Sequence, residues 1–355
     1  MYGNLNYNRD MTASKPRSKR PSMKDVAELA GVSRTTVSFV LNGKPGANIS
    51  DETQQRVFQA AATLSYRPNI IAQNLRAQRT NSIGFISDVI GTTPYAGQIL
   101  QGAQDAAWTQ SNLLISINTN GDDDIKHVAV NTLLDRRVDG IIYATMWHRE
   151  AHPPEALREV PTVLLDCFAA DGSYPSVVPN EVAAARSAVT YLLERGHRRI
   201  GFIRDQSGAF ATFKRLEGYV EALDAWGLAY DPALVWTGGS SLPSSGYEGM
   251  SALMQLPERP TAVFCYNDRM AMGGYDALRQ LGLRIPEDVA VVGFDNHELI
   301  AAYLYPALTT MQLPHYEMGQ WAVRHLLKLI DDPSQQDLPV AHVQIECPLI
   351  ERDST

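Results

Sequence analysis

Arg215, Asn267, Asp295 and Asp166 are the side chains of this sequence best suited to holding a small polar molecule. Each stands at or beyond the end of a short apolar run. Asp166 closes residues 162–167, Asn267 follows 262–266, and Asp295 follows 289–294. Arg215 lies in "FKRLEGY", after the run that ends at Arg204. A guanidinium fork and a carboxylate bond adjacent hydroxyls, and an amide both donates and accepts. Asp88 and Tyr95 follow the first run, and Trp147, Phe168, Phe210 and Tyr266 can stack on an apolar sugar face. The mixture suits a polyhydroxylated ligand. Bland alternatives stand beside it: aromatics that pack into a core, Asp268 as cap of the helix after it, and Asp295 with Asn296 as caps of a helix starting near His297. Arg215 at a helix start opposes the dipole, which favours a functional role.

The same inventory offers little to an enzyme. There is no G-x-x-x-x-G-K-[ST], no G-x-G-x-x-G after the first run and no G-x-S-x-G. Cys167 and Cys265 lie in apolar runs with no His close in sequence, and buried thiols are usually inert. No metal-ligand spacing occurs, so no cofactor is expected. The odd count of three cysteines without C-x-x-C reads as reduced thiols in the cytoplasm. No run is long enough to span a membrane, and residues 1–20 lack the apolar core of a signal peptide. They read instead as a disordered basic arm.

A second set of residues lies near the N-terminus. Val26, Ala27 and Ala30 stripe a short helix, and Gly31-Val32-Ser33 makes a turn in which Gly accepts positive φ. Ser33 caps a second helix over 34–42, whose inward face is Val37, Val40 and Leu41. Arg34, Thr35, Ser38 and Phe39 then point outward, toward a DNA major groove, with Ser33, Thr36 and Asn42 completing the contact set. A third helix starts at Ser50, with Asp51 and Glu52 suiting its dipole and Val57, Ala60, Ala61 and Leu64 buried. Arg67-Pro68-Asn69 breaks it, and Ile70, Ala72 and Leu75 are apolar points among basic residues. Residues 1–80 hold 12 Lys/Arg and 5 Asp/Glu, net +7; the remainder holds 19 and 34, net −15. A basic head on an acidic body concentrates phosphate attraction at one end.

These residues need a scaffold. Strand-like runs at 83–87, 113–118, 140–144, 162–167, 200–204, 262–266 and 289–294 alternate with amphipathic stretches at 96–110, 125–136, 182–195, 213–226, 246–256 and 269–281. Buried strands alternating with helices imply parallel sheets covered on both faces. The strands are too many for one modest sheet, so two αβ lobes are expected, with a seam after Val177-Val178-Pro179. Ligands bind beyond the carboxyl ends of such strands.

The order "DVAELAGVS", "TVSFVLNG" and "YRPNIIAQNL" resembles the headpiece of the lactose/galactose-repressor (LacI) family. "RVDGIIY", "RGHRRIGFI", "TAVFCYNDRMAMG", "RIPEDVAVVGFDN" and "PALTTM" resemble its effector domain, which is similar to periplasmic sugar-binding proteins. The resemblance runs from Pro21 to Arg352. It implies a sequence-specific DNA-binding regulator, a repressor of carbohydrate uptake or catabolism genes controlled by a sugar-like effector between two lobes. The fold class is then α + α/β: an arm (1–20), a helix-turn-helix domain (21–66), a hinge helix (67–80) and an effector and dimerisation domain (81–355). The N-lobe would hold 81–178 and 309–338, the C-lobe 179–308 and 339–352, with 308–313 returning to the first lobe and strand 342–347 to the second. Leu75 matches the hinge leucine that wedges into a minor-groove step, with Asn69 and Ala72 in the same signature. The positions of Arg215, Asn267, Asp295 and Asp166 match the family's effector pocket. No heptad-bearing helix follows Arg352, so a homodimer on operator DNA is expected.

Two positions depart from the family. Phe39 stands where Arg often reads guanine, so it either meets a thymine methyl or packs inward. Gln312-Leu313 stands where Arg-Gln is common, which leaves the ligand open. An exported solute-binding protein is the competing reading, and it accounts for neither the headpiece nor the missing export signal.

Overall fold

The structure is a computed structural model describing residues 21–41, 48–66, 79–93, 96–206, 208–332, 334 and 339–355. Asn42, Asn69, Ala72, Leu75 and Tyr95, with the basic arm, lie outside the described residues. The chain divides into two compact units, Met1–Gln78 and Arg79–Thr355.

In the first unit, α1 (Met23–Ala30) opens with a capping box: the Asp25 N–H donates to the Ser22 hydroxyl, and the Ser22 N–H donates to the Asp25 carboxylate at 2.6 Å. Gly31 ends it at φ 68°, in the left-handed region. The Ser33 hydroxyl accepts from the Thr36 N–H at 3.0 Å and so starts α2 (Arg34–Leu41). Ser50 caps α3 (Asp51–Thr63). Val26, Ala27, Ala30, Val37, Val40, Val57, Ala60 and Ala61 close one small core between the three helices.

The second unit holds two six-stranded sheets. The first contains β1 (Ser82–Ser87), β2 (Leu113–Asn118), β3 (Gly140–Glu150), β4 (Thr162–Phe168), β5 (Ser176–Pro179) and, from far along the chain, β11 (His342–Ile345). Its order is β11-β5-β4-β3-β1-β2, parallel throughout. The second contains β6 (Ile200–Arg204), β7 (Val235–Thr237), β8 (Ala262–Cys265), β9 (Ala290–Asp295), β10 (Thr309–Gln312) and β12 (Leu349–Ile350). Only β12 runs antiparallel, against β10. The helices α4 (Gly97–Thr109), α5 (Asp123–Asp135), α6 (Glu181–Glu194), α7 (Phe210–Ala225), α8 (Pro243–Met254), α9 (Asp268–Gln280) and α10 (His315–Asp331) complete the body. Every residue of β1 is buried, as a parallel strand covered on both faces requires.

Three helix seams close on glycine, the one between α6 and α7 at Gly218, where a Cβ would stand 2.2 Å from the Val182 carbonyl oxygen. A Cβ on Gly246 of α8 would stand 1.9 Å from the Met270 carbonyl oxygen, and one on Gly273 of α9 would stand 1.8 Å from that of Pro243. Gly102 of α4 and Gly319 of α10 meet backbone in the same way.

The expected lobe crossings are reversed in part. From the sequence, 308–313 belongs to the first lobe and 342–347 to the second. The structure pairs β10 with β9, Thr309 beside Val292 through Gln312 beside Asp295, and pairs β11 with β5. The cause lies in the side chains. Thr310 donates its hydroxyl to Asp268 at 2.6 Å, and the Thr309 N–H donates to the Ser354 hydroxyl at 2.8 Å, so β10 is fixed by second-lobe groups. In β11, half-buried residues alternate with exposed ones, which suits a sheet edge. The chain therefore passes between lobes after β5, between β10 and α10, and between β11 and β12.

Candidate functional site

The tips of both sheets meet around a cavity of about 40 Å³ lined by Trp147, His148, Asp166, Glu181, Arg215, Tyr266, Asn267, Arg269 and Asp295, among others. Six of the expected ligand residues, Trp147, Asp166, Arg215, Tyr266, Asn267 and Asp295, come together there.

Arg215 projects from the second turn of α7 and is 4% exposed. Its Nε donates to Glu181 Oε2 at 2.7 Å and its Nη2 to Oε1 at 3.2 Å, a two-pronged fork onto the first residue of α6. Nη1 donates to the Tyr266 carbonyl and stands 3.9 Å from Asp295 Oδ1. The guanidinium carbon lies 3.5 Å from the centroid of the Phe294 ring and 4.5 Å from that of Tyr266. Burial opposes the charge, but Glu181 and then Tyr266 outweigh it and hold the pKa above its ordinary value.

Asp295 ends β9 at φ 108°, and Asn296 follows at φ 50°. Asp166, near the end of β4, has φ 55°. Non-glycine residues adopt such angles uncommonly, Asp and Asn more readily than most. Burial pushes the Asp295 carboxyl up to about 7, against the opposing pull of Arg215. Burial, then Glu181, pushes Asp166 well above the ordinary carboxylate range. Asp166 Oδ1 is buried without a hydrogen-bond partner.

Other expectations need correction. Asp88 does not line this cavity. Its Oδ1 accepts from the Val89 and Met146 N–H groups at 2.7 and 3.0 Å, and its Oδ2 accepts from Arg149 at 2.9 Å. Met146 and Arg149 are in reach because β3 runs on to Glu150 instead of ending at 144, with a register shift against β4. Asp88 thus braces an adjoining open cleft of about 680 Å³, to which Trp147 also contributes. Phe168 and Phe210 do not line the cavity either; their rings meet edge to face with centroids 5.1 Å apart. The cap of α9 is Asn267, whose side-chain oxygen accepts from the Met270 N–H at 2.8 Å, and not Asp268. Asp268 is instead fully buried and accepts from Thr310 and from the His297 N–H, both at 2.6 Å. Residues 298–303 form turns, so Asp295 and Asn296 cap no helix there.

Glu181 and His148 are cavity residues that spacing alone does not reveal. An acid in a first helical turn is ordinary dipole chemistry, so Glu181 carries no signal. His148 lies beyond the expected end of its strand. Among the described residues, no group of His, Cys, Asp and Glu is arranged to hold a metal, and no helix is long and apolar enough to cross a membrane.

In the headpiece, Ser33, Arg34 and Thr35 are exposed, while Thr36, Ser38 and Phe39 are half-buried. The Ser33 and Thr36 hydroxyls bond each other at 2.9 Å, so both serve the helix start.

Comparison with known proteins follows this division. The family described as "Bacterial regulatory proteins, lacI family" matches residues 22–69, and "Periplasmic binding protein-like domain" matches 189–355. The ribose operon repressor of Escherichia coli (strain K12) is 34% identical over 338 residues, covering 94% of this chain and 99% of that protein. The HTH-type transcriptional repressor PurR of Aliivibrio salmonicida is 32% identical over 313 residues, covering 88% and 92%. Among solved structures, the lac repressor dimer bound to operator and the anti-inducer ONPF is similar at TM-score 0.76 and 27% identity, over 95% of this chain and 99% of that one. The transcriptional regulator CelR–cellobiose complex is similar at TM-score 0.64 and 29% identity, over 95% and 100%. With a capped three-helix headpiece, two largely parallel sheets and relatives matched along nearly their whole length, the chain belongs to the lacI family of DNA-binding transcriptional regulators.

Proposed function

We propose that this regulator is a cytoplasmic repressor that binds operator DNA as a homodimer and responds to a small, polyhydroxylated effector in the cavity between its sheets. The carrying observation is the cavity wall: Arg215 held rigid by Glu181 beside Asp295, facing a buried, unpartnered Asp166 oxygen. Fixed donors and acceptors converging at the tips of both sheets suit hydroxyl recognition. The relatives named ribose operon repressor make a pentose the first effector to try. Of the expected pocket residues, Trp147, Asp166, Arg215, Asn267 and Asp295 serve as contacts, while Asp88, Phe168 and Phe210 support the walls. Tyr95 keeps its sequence-based assignment.

On DNA, Arg34, Thr35, Ser38 and Phe39 read base edges, Ser33 and Thr36 set the helix start, and Asn42, Asn69, Ala72 and Leu75 keep their sequence-based roles. The protein acts by binding, with no catalytic step. In support, all three cysteines are buried, and burial pushes the Cys167 thiol up to about 12.

Fluorescence anisotropy on labelled DNA from the protein's own promoter, with and without D-ribose and other monosaccharides, tests this. Tight binding that one sugar weakens is the expected result. A protein that ignores its promoter at low ionic strength, or whose affinity no sugar changes, would overturn the reading.

A further inference from the structure

His148 sits on the tip of β3 and is 6% exposed. Its ring is clamped edge-on by Phe168 of β4, centroids 5.8 Å apart at 79°, and by Phe210 at the start of α7, 4.8 Å apart at 61°. One aromatic comes from each lobe, so the plane of the imidazole is fixed. Its Nδ1 is nonetheless buried without a hydrogen-bond partner, and the residue lines the cavity beside Asp166, whose Oδ1 is in the same condition.

Two unsatisfied polar atoms on one wall of one cavity need a cause. An aromatic clamp is filled as well by Leu or Phe, which would leave nothing desolvated and unpaired. The charged groups that bear on the ring are Glu181, Arg215 and Lys214. Burial dominates them and lowers the ring to about 4, so near neutral pH it carries one N–H and one lone pair. Burial pushes Asp166 well above the ordinary carboxylate range, toward the form that can donate. On the opposite wall, the cations Arg215 and Arg269 face the acids Glu181 and Asp295. Arg215 already donates Nε and Nη2 to Glu181 and Nη1 to the Tyr266 carbonyl, so the cavity presents no guanidinium fork free for a phosphate.

We infer that His148 is a specificity-determining contact: its Nδ1 exchanges a hydrogen bond with a hydroxyl of the effector, next to Asp166, and the pocket selects an uncharged hydroxylated ligand over a phosphorylated one. The inference rests on the reading of this cavity as the effector site.

Titration calorimetry and thermal unfolding of the full chain, with D-ribose, D-xylose, D-glucose and ribose 5-phosphate as probes, test it. The wild type should bind at least one free sugar, and more tightly than the phosphate ester. His148→Leu should weaken that sugar at least tenfold without lowering the Tm of the ligand-free protein. His148→Gln, which keeps a donor and an acceptor, should recover part of the affinity. If His148→Leu binds like wild type while Arg215→Met does not bind, the cavity is the effector site and the role of His148 is wrong. A fallen Tm with lost binding in both His148 variants marks mere packing and overturns it too. Tighter binding of the phosphate ester overturns the selectivity. If the wild type binds none of the free sugars, the effector reading fails and takes this inference with it.

Discussion

A carboxylate that must choose between a proton and a dry environment reports on both. Asp295 is pushed up to about 7 from an ordinary 3.8, chiefly by burial. The folded protein therefore holds a proton there that the unfolded chain releases near its ordinary value. Stability from this group is complete below about pH 4 and is lost as pH rises through about 7. Calorimetric Tm should fall between about pH 5 and pH 7.5, and Asp295→Asn should flatten that fall. Equal slopes for the two proteins would mean that Asp295 is ionised throughout. The strand-end rule located Asp295, Arg215, Asn267 and Asp166 from sequence because each closes or follows an apolar run, while Trp147 was legible only as an aromatic able to stack on a sugar face. Asp88 obeys the same rule and fails it: Arg149, which claims its carboxylate, lies on a strand extension that apolar patterning does not show. Glu181 was illegible for the opposite reason, since its position looks ordinary.

At the scale of elements, amphipathic period and caps placed the helices other than α10 to within a few residues, Ser33 and Ser50 being visible caps; α10 was not read from the sequence. Which helices touch was not visible. The seam between α8 and α9 depends on bare backbone at Gly246 and Gly273, and a lone glycine inside a helix usually reads as a weakness. Gly273→Ala should destabilise the protein by about 1–3 kcal/mol in urea unfolding, despite the better helix propensity of Ala. A stabilised variant would show that propensity outweighs the close approach. β10 and β11 were mistaken for the same kind of reason. Short strands carry too little pattern to name their sheet, and buried partners such as Asp268 and Ser354 decide it.

On the function proposed above, the whole molecule separates its tasks by unit. The acidic body, Arg79–Thr355, is a compact unit with both sheets and the cavity. Expressed alone, it should bind the sugar that the full chain binds, by calorimetry, and show no retention of promoter DNA in a gel shift. Retained DNA would contradict the assignment of that task to the basic head. The charge split falls close to the boundary between the two compact units, and net charge of opposite sign in two segments is readable without any fold. The three passes of chain between the lobes have a consequence for anyone cutting the gene. Neither lobe is one contiguous stretch: a piece beginning at α6 carries α10 and β11 away from the sheet they complete, and the piece left behind has a bare edge at β5. No single cleavage yields two self-sufficient halves, so the body must be inherited, truncated or transplanted as a whole.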